Sequence, residues 1–364
     1  MNANAASYQK YFASAVPGFT VTAKNNVLYC NPCSPYVSNL VFDAGTKNAT
    51  CPACNKSVTW IEVNQTNLSS LLSNGTTGYF GNTIATGTYH FYLSSDVSYT
   101  AASGNTDKAF IYSAGSNRNI CLHLNGHDLT ATNAAVVIMA STTKVNIMGS
   151  GTVSGNHTHS SKFRGSAIIM NSGTTGTNLG TVRLYSGTYV QPEGNTQLAP
   201  VSASFQGGLM EIYEDATITG NSSNYSLCIN TANNNSGLTA TYDEIINIHG
   251  GTFNRPVYAK AFSTTLANTA LNIYGGTFND GIEIVDNTVD LKLSGSPVIG
   301  GAGLKLPAGL TATLDALTNG ASIAVNASGA FTKAHASAAS FLQYFRAAVS
   351  GKGISVTDNV LYCN

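Results

Sequence analysis

The chain has 364 residues, 17 basic against 17 acidic side chains, and only 9% charged residues, well below the ~25% usual in globular proteins. That balance excludes the strongly basic surface that a nucleic acid or an anionic membrane would need. No apolar run approaches the ~20 residues that span a bilayer. Solubility falls to Asn, Thr, Ser and Gly, and with 18 Tyr and scattered Val and Ile this mixture favours strands joined by tight turns.

Residues 3–31 align without a gap to residues 336–364, with 15 of 29 positions identical at an offset of 333, and both copies end in "NVLYCN". The first copy places Tyr8, Tyr11, Phe12, Ala15 and Val16 at helical spacing, and the second does so with Phe341, Tyr344, Phe345, Ala348 and Val349. Gly18 and Gly351 follow as helix terminators. "FTVTAKNNVLYC" then reads as a hairpin turning at Asn25 and Asn26. The N-terminus lacks a basic segment followed by an apolar one, so the chain is expected either not to be exported or to be a piece of something longer. The terminal repeat favours the second. Residues 1–29 are then the tail of a preceding module, and 334–364 the exit tail of this one. Each tail is expected to cover an open end of the fold and to dock on its neighbour, with Tyr8, Tyr11, Phe12, Phe341, Tyr344, Phe345 and Cys363 at the junction.

Residues 30–62 carry Cys30, Cys33, Cys51 and Cys54 as C-x2-C-x17-C-x2-C. Two such knuckles suit a zinc ribbon, in which four thiolates close a tetrahedron and leave no position for a substrate. Two disulfides between the knuckles are the alternative, favoured by an oxidising extracellular setting. "KSVTWIEV" is the return strand of the ribbon. Cys363 is the positional equivalent of Cys30, and in a longer parent it would start the next ribbon. Cys121 and Cys228 sit in the apolar runs "NICLHL" and "YSLCIN" and read as buried small side chains.

Within residues 63–333 one pattern recurs: apolar, any, apolar, any, a small-residue step, then apolar. It appears as "LHLNGHDL", "VNIMGSGTV", "VRLYSGTY", "MEIYEDATI", "INIHGGTF", "LNIYGGTF", "LKLSGSPV" and "IAVNASGAF", starting at Leu122, Val145, Val182, Met210, Ile246, Leu271, Leu291 and Ile323. Period two means strands, and the Gly-rich step means a bend. A strand–bend–strand unit that cannot bury its inward residues alone, repeated many times, predicts a parallel β-helix in which each turn stacks on the last. A β-sandwich is the competing architecture.

The stretches "VTWIEV", "GTYHFYLSSDVSYT", "NICLHLNGHDLT", "GSGTVSGN" and "GGTF" carry a resemblance over about residues 27–364. The chain resembles the pectate-lyase-like right-handed parallel β-helix family and, more closely, the large repetitive surface proteins of anaerobic gut bacteria. The resemblance implies an extracellular or cell-surface location and an architecture more than a chemistry.

A polysaccharide lyase of this fold needs an acid cluster for Ca²⁺ and a basic proton acceptor, and a hydrolase needs paired carboxylates. The acids here are scattered: Glu211, Glu214 and Asp215; Asp243 and Glu244; Glu283, Asp286 and Asp290. They read as solvated edges and turns. "GNHTHSSKFRG", with His157, His159, Lys162 and Arg164, reads as a polar loop. If first and third positions of each unit face inward, second and fourth face outward. The fourth positions then align Tyr185, Tyr213, His249 and Tyr274 as an outer ladder, which suits stacking on glycan rings or simply stabilises the sheet. The expectation is a non-enzymatic structural or adhesive module of a fibre, associating end to end with copies of itself. A β-helical lyase or hydrolase and a phage receptor-binding fibre are the alternatives.

Overall fold

The computed structural model describes residues 19–24, 27–32, 39–54, 56–71, 87–101, 108–113, 118–139, 143–157, 165–170, 180–203, 208–229, 243–261 and 269–364. Side chains at 19–24, 27–32, 70, 112 and 113 are outside the description. The protein is all-β, dominated by one sheet of 25 strands. The chain runs through three strands, turns a corner after each, and returns to pair in parallel with the strand it laid down one circuit earlier. Asn119 to Ile147 shows the repeat: Lys144–Met148 lies beside Arg118–His123, and Thr181–Val190 beside Lys144–Met148. This topology is compatible with a β-helix. The parallel pairing excludes two facing antiparallel sheets.

Three faces result. The first carries Ile61–Val63, Gly87–Leu93, Arg118–His123, Lys144–Met148, the opening halves of Thr181–Val190 and Gly208–Thr219, then Glu244–Ile248, Thr269–Ile273, Asp290–Gly295 and Thr313–Leu317. The second runs from Val97–Thr100 and Leu129–Thr132 to the start of Ser322–Asn326. The third runs from Ala109–Ser113 and Ala135–Met139 through Val257–Ala259 and Ile282–Ile284.

Inward residues form continuous columns because each is paired with its equivalent one circuit on. On the first face Ile120, Val145, Val182, Met210, Ile246, Leu271 and Leu291 make one column, none more than 1% exposed. On the second face Phe253 stacks on Phe278 at 4.7 Å and 3°. The "GGTF" motif explains itself here. Gly251 and Gly276 take φ of 93° and 97° to turn the corner, a region L side chains avoid, and the Phe two residues later enters the core.

Two expectations need correction. The unit at Ile323 does not continue the first-face column. Leu293 pairs with Leu314, whereas Ile323 pairs with Ile299 on the second face. Likewise Leu122 is the third, not the first, position of its unit, since it pairs with Ile147. The Leu122 shift leaves the alternation intact, because moving two residues keeps a side chain on the same face, whereas the Ile323 unit belongs to another face and the first-face strand at Thr313–Leu317 loses the alternation.

At the C-terminal end the helix is short. It spans Ala338–Phe341 with a 3₁₀ turn at Leu342–Tyr344, and Phe345–Ala347 is a strand that pairs in parallel with Ser322–Asn326. The expected helix through Val349 therefore stops early, because Phe345 is drawn against Phe331 (centroids 5.5 Å apart) beneath the last circuit. Ile354–Thr357 and Val360–Cys363 then form a hairpin, joined by Gly329–Ala330 as a third strand. Asp358 and Asn359 hold its two-residue turn at φ of 48° and 61°, as a primed turn requires. Leu361 and Cys363 are fully buried against the final circuit.

Candidate metal centre

The lead-in segment is a small hairpin laid across the outer side of the first face. Asn48–Cys51 pairs antiparallel with Lys56–Thr59, with Cys51 opposite Lys56, so the "CPAC" run forms the turn and gathers Cys51 and Cys54 at its tip. Trp60 anchors the hairpin. It is 1% exposed, and its indole N–H donates to the Ala49 carbonyl at 3.2 Å. Its ring meets His90 edge-on at 5.3 Å and His123 at 6.0 Å. A second anchor comes from "LNGH": Asn125, at φ 57°, accepts from the Leu40 N–H at 2.8 Å and donates to the Leu93 carbonyl at 3.1 Å. Phe42 packs on Tyr92 at 4.7 Å.

Docked this way, the "CPAC" turn sits over the outward residues of the strands beneath. His90, on Gly87–Leu93, places Nε2 3.7 Å from Cys54 Sγ. The ligand atoms of Cys51, Cys54 and His90 all lie within 4.8 Å of one another. Two soft thiols and an imidazole in that space could hold a metal ion. Cys51 is fully buried and His90 nearly so.

The electrostatics suit a cation. The Cys51 thiol is held below its ordinary value, first by its interaction with Cys121, then by His90 and the Cys54 backbone N–H, against the opposing effect of burial. Thiolate is the form that ligates. Cys54 is pushed up by burial and by the charge on Cys51, and Cys121 is pushed up by its bond to Cys51 and by burial.

Of the four cysteines paired in the sequence, Cys51 and Cys54 meet here. The Cys30 side chain and all of Cys33 lie outside the described residues, as do Tyr8, Tyr11, Phe12, His159, Lys162 and Arg164. His157 is buried at a corner. Phe341, Phe345 and Cys363 are buried at the C-terminal end, and Tyr344 is partly buried.

The four ladder residues stack in one row: Tyr185 on Tyr213 at 4.4 Å, Tyr213 on His249 at 4.8 Å, and His249 on Tyr274 at 5.3 Å. Only part of the row is surface. Tyr185 and Tyr213 are 7% and 4% exposed, in the same cluster as Leu40, Cys51 and Trp60. His249 and Tyr274 are partly exposed. Beside the row, Glu211 pairs with Arg183 and lies 3.4 Å from His249. Burial alone would raise the Glu211 carboxyl, but His249 and Arg183 outweigh it and hold it at about 2.

A groove of about 510 Å³ lies where the second face turns into the third, lined in part by Tyr225, Arg255, Asp280 and Glu283. Both its carboxylates are engaged: Asp280 with Arg255 at 3.6 Å, Glu283 with Lys305 at 2.6 Å.

Sequence reasoning missed His90, and it read Cys121 as a buried small side chain, which it is at 1% exposed. Each looks like one more residue in a strand, and only the inter-strand register, His90 opposite Cys121, brings them under the "CPAC" turn. No family model, curated protein or solved structure matches the chain, so the likeness to pectate-lyase-like proteins rests on its motifs and on the parallel sheet.

Proposed function

We propose that the chain is a non-enzymatic structural and adhesive module of a tandem-repeat extracellular fibre, a right-handed parallel β-helix whose lead-in hairpin is held by structural zinc. One observation supports the tandem arrangement above all. The two ends of the chain build the same hairpin in the same register. Val21 pairs with Cys30 and Ala23 with Leu28 at one end, and Ile354 with Cys363 and Val356 with Leu361 at the other. The second hairpin closes its own stack through buried Leu361 and Cys363. The first, with Leu28 and Cys30 in those positions, is suited to closing the stack of a neighbouring module. The engagement of Glu283, Asp280 and Glu211 by cationic partners weighs against a free carboxylate pair for lyase or hydrolase chemistry.

Electron microscopy of the intact material tests this. Rods or filaments with a module-length repeat are expected, joined end to end. Particles that never associate, or turnover of polyuronides by the purified chain, would replace the proposal with the enzyme alternative. Glycan adhesion falls to the uncovered end of the aromatic row. On a glycan array Tyr274→Ala is expected to lower binding while Tyr213→Ala, under the lead-in hairpin, leaves it unchanged.

A further inference from the structure

We infer that Cys121 is the fourth ligand of a closed Cys₃His zinc site made by Cys51, Cys54, His90 and Cys121, and that this site bolts the lead-in hairpin to the sheet. The inference rests on the zinc reading above and departs from the four-cysteine ribbon.

Register is the first argument. Cys121 pairs with His90 on adjacent parallel strands, both outward on the first face, and neighbouring strands lie ~4.8 Å apart. The two side chains therefore stand side by side beneath the "CPAC" turn. Contact is the second. Cys121 and Cys51 are buried in one cluster, while Cys54 approaches His90, so the turn spans both strands, and Cys121 adjoins the group of Cys51, Cys54 and His90 whose ligand atoms lie within 4.8 Å of one another. The third is the neighbour in the same row, Asn146, whose Nδ2 lies 3.6 Å from Cys121 Sγ. An amide donor aimed at sulfur is what steadies a metal-bound thiolate. Cys121 is 1% exposed, and with Trp60 and Met148 in the same cluster it closes the inner side of the site, while Cys54 on the turn stays partly exposed. Three thiolates and one imidazole in a closed site are a zinc donor set.

Cys30 has a counterpart by register at the other end of the chain. Cys30 occupies the hairpin position of Cys363. Cys363 is fully buried, with Sγ 4.0 Å from the Val325 carbonyl, and packs beneath the last circuit. A segment the size of residues 39–60 cannot bury a core of its own. Ligands drawn half from its tip and half from two strands of the sheet join the two bodies directly.

The test uses the full chain and its zinc content by native mass spectrometry, with replacement by Co²⁺ to read the donor set from its absorption. One zinc per chain is expected, with a spectrum of tetrahedral thiolate–imidazole cobalt. Cys121→Val keeps the size and loses the donor, and should weaken zinc at least ~10-fold, since even outer partners of ligands matter by that much. Cys121→His should retain the metal. Cys30→Ser and Cys33→Ser should bind as the parent does. Zinc kept by Cys121→Val but lost from Cys30→Ser or Cys33→Ser overturns the Cys121 assignment and leaves structural zinc standing in the ribbon. A metal-free parent chain with two Cys–Cys bridges removes zinc altogether.

Discussion

The outer side of the first face has two halves built on the same strands and the same alternation. In the half beneath the lead-in hairpin the two outward rows read His90, Cys121, Asn146, Arg183 and Tyr92, His123, Met148, Tyr185. In the other half they read Asn247, Asn272, Lys292 and His249, Tyr274, Ser294. Inward columns barely change between the halves. What an outward row contains is set by what lies over it: imidazoles, a thiol and apolar bulk where Trp60 and the "CPAC" turn dock, amides and a lysine where water does. Glu211 stands at the border, buried enough to need both Arg183 and His249. A parallel stack thus fixes position, and a short overlying segment assigns chemistry.

The contrast can be broken most severely at Trp60. Trp60→Ala should cost ~3–5 kcal/mol and turn the covered half into a bare apolar surface, read as a lower denaturation midpoint together with faster proteolysis within residues 39–60. Loss of stability without faster cleavage there would mean that Trp60 stabilises the sheet alone.

Glu211 comes next. Its folded carboxyl sits at about 2 against an ordinary 4.5. The folded value is depressed, so the stabilisation is fully present above about 4.5 and is lost as the pH falls from there through about 2. Glu211→Gln should cost ~1.5–3 kcal/mol at neutral pH, the scale of hydrogen bonds to charged groups, and flatten the stability–pH curve across that window. A mutant that keeps the parent's acid slope would transfer the effect to another carboxylate.

Smaller effects belong to the uncovered half. Tyr274→Ala removes one stacking partner from His249 and should cost ~0.5–1.5 kcal/mol, measurable by chemical denaturation. Asn272→Ala removes a side-chain bond to Asn247 of 3.0 Å and should cost ~0.5–1.5 kcal/mol, at the lower end because the pair is partly wet. If either exceeded Trp60→Ala, the two halves would not differ as their burial implies.

The strand-and-bend alternation between Val145 and Leu293 was legible because period two is local: each unit carries its own inward pair. The row Asn146, Arg183, Glu211, Asn247, Asn272, Lys292 followed from it. The reading slipped where a circuit changes length. Val298–Lys305 runs on through a corner, and the next first-face strand, "TLDAL" at Thr313–Leu317, no longer alternates. Phe341, Tyr344 and Phe345 satisfy helical spacing, yet tertiary contact with Phe331 makes a strand of the last. The two C-x2-C pairs pointed to a soft metal, and of them Cys51 and Cys54 lie in a group that could hold one. Their companions His90 and Cys121 gave no such sign, because the spacing between them depends on the length of a loop at a corner, which encodes nothing about metal.

Parallel strands stacked without closure form a polymerisation template, since the last strand offers an unfilled row of amides and carbonyls to any extended chain that arrives. Phe345–Ala347 occupies that row beside Ile323–Val325, and it is only three residues long before the chain leaves for the antiparallel hairpin. The edge of the last circuit is thereby covered by the molecule's own tail. Those three residues are what separates the backbone edge of Ile323–Val325 from an incoming strand.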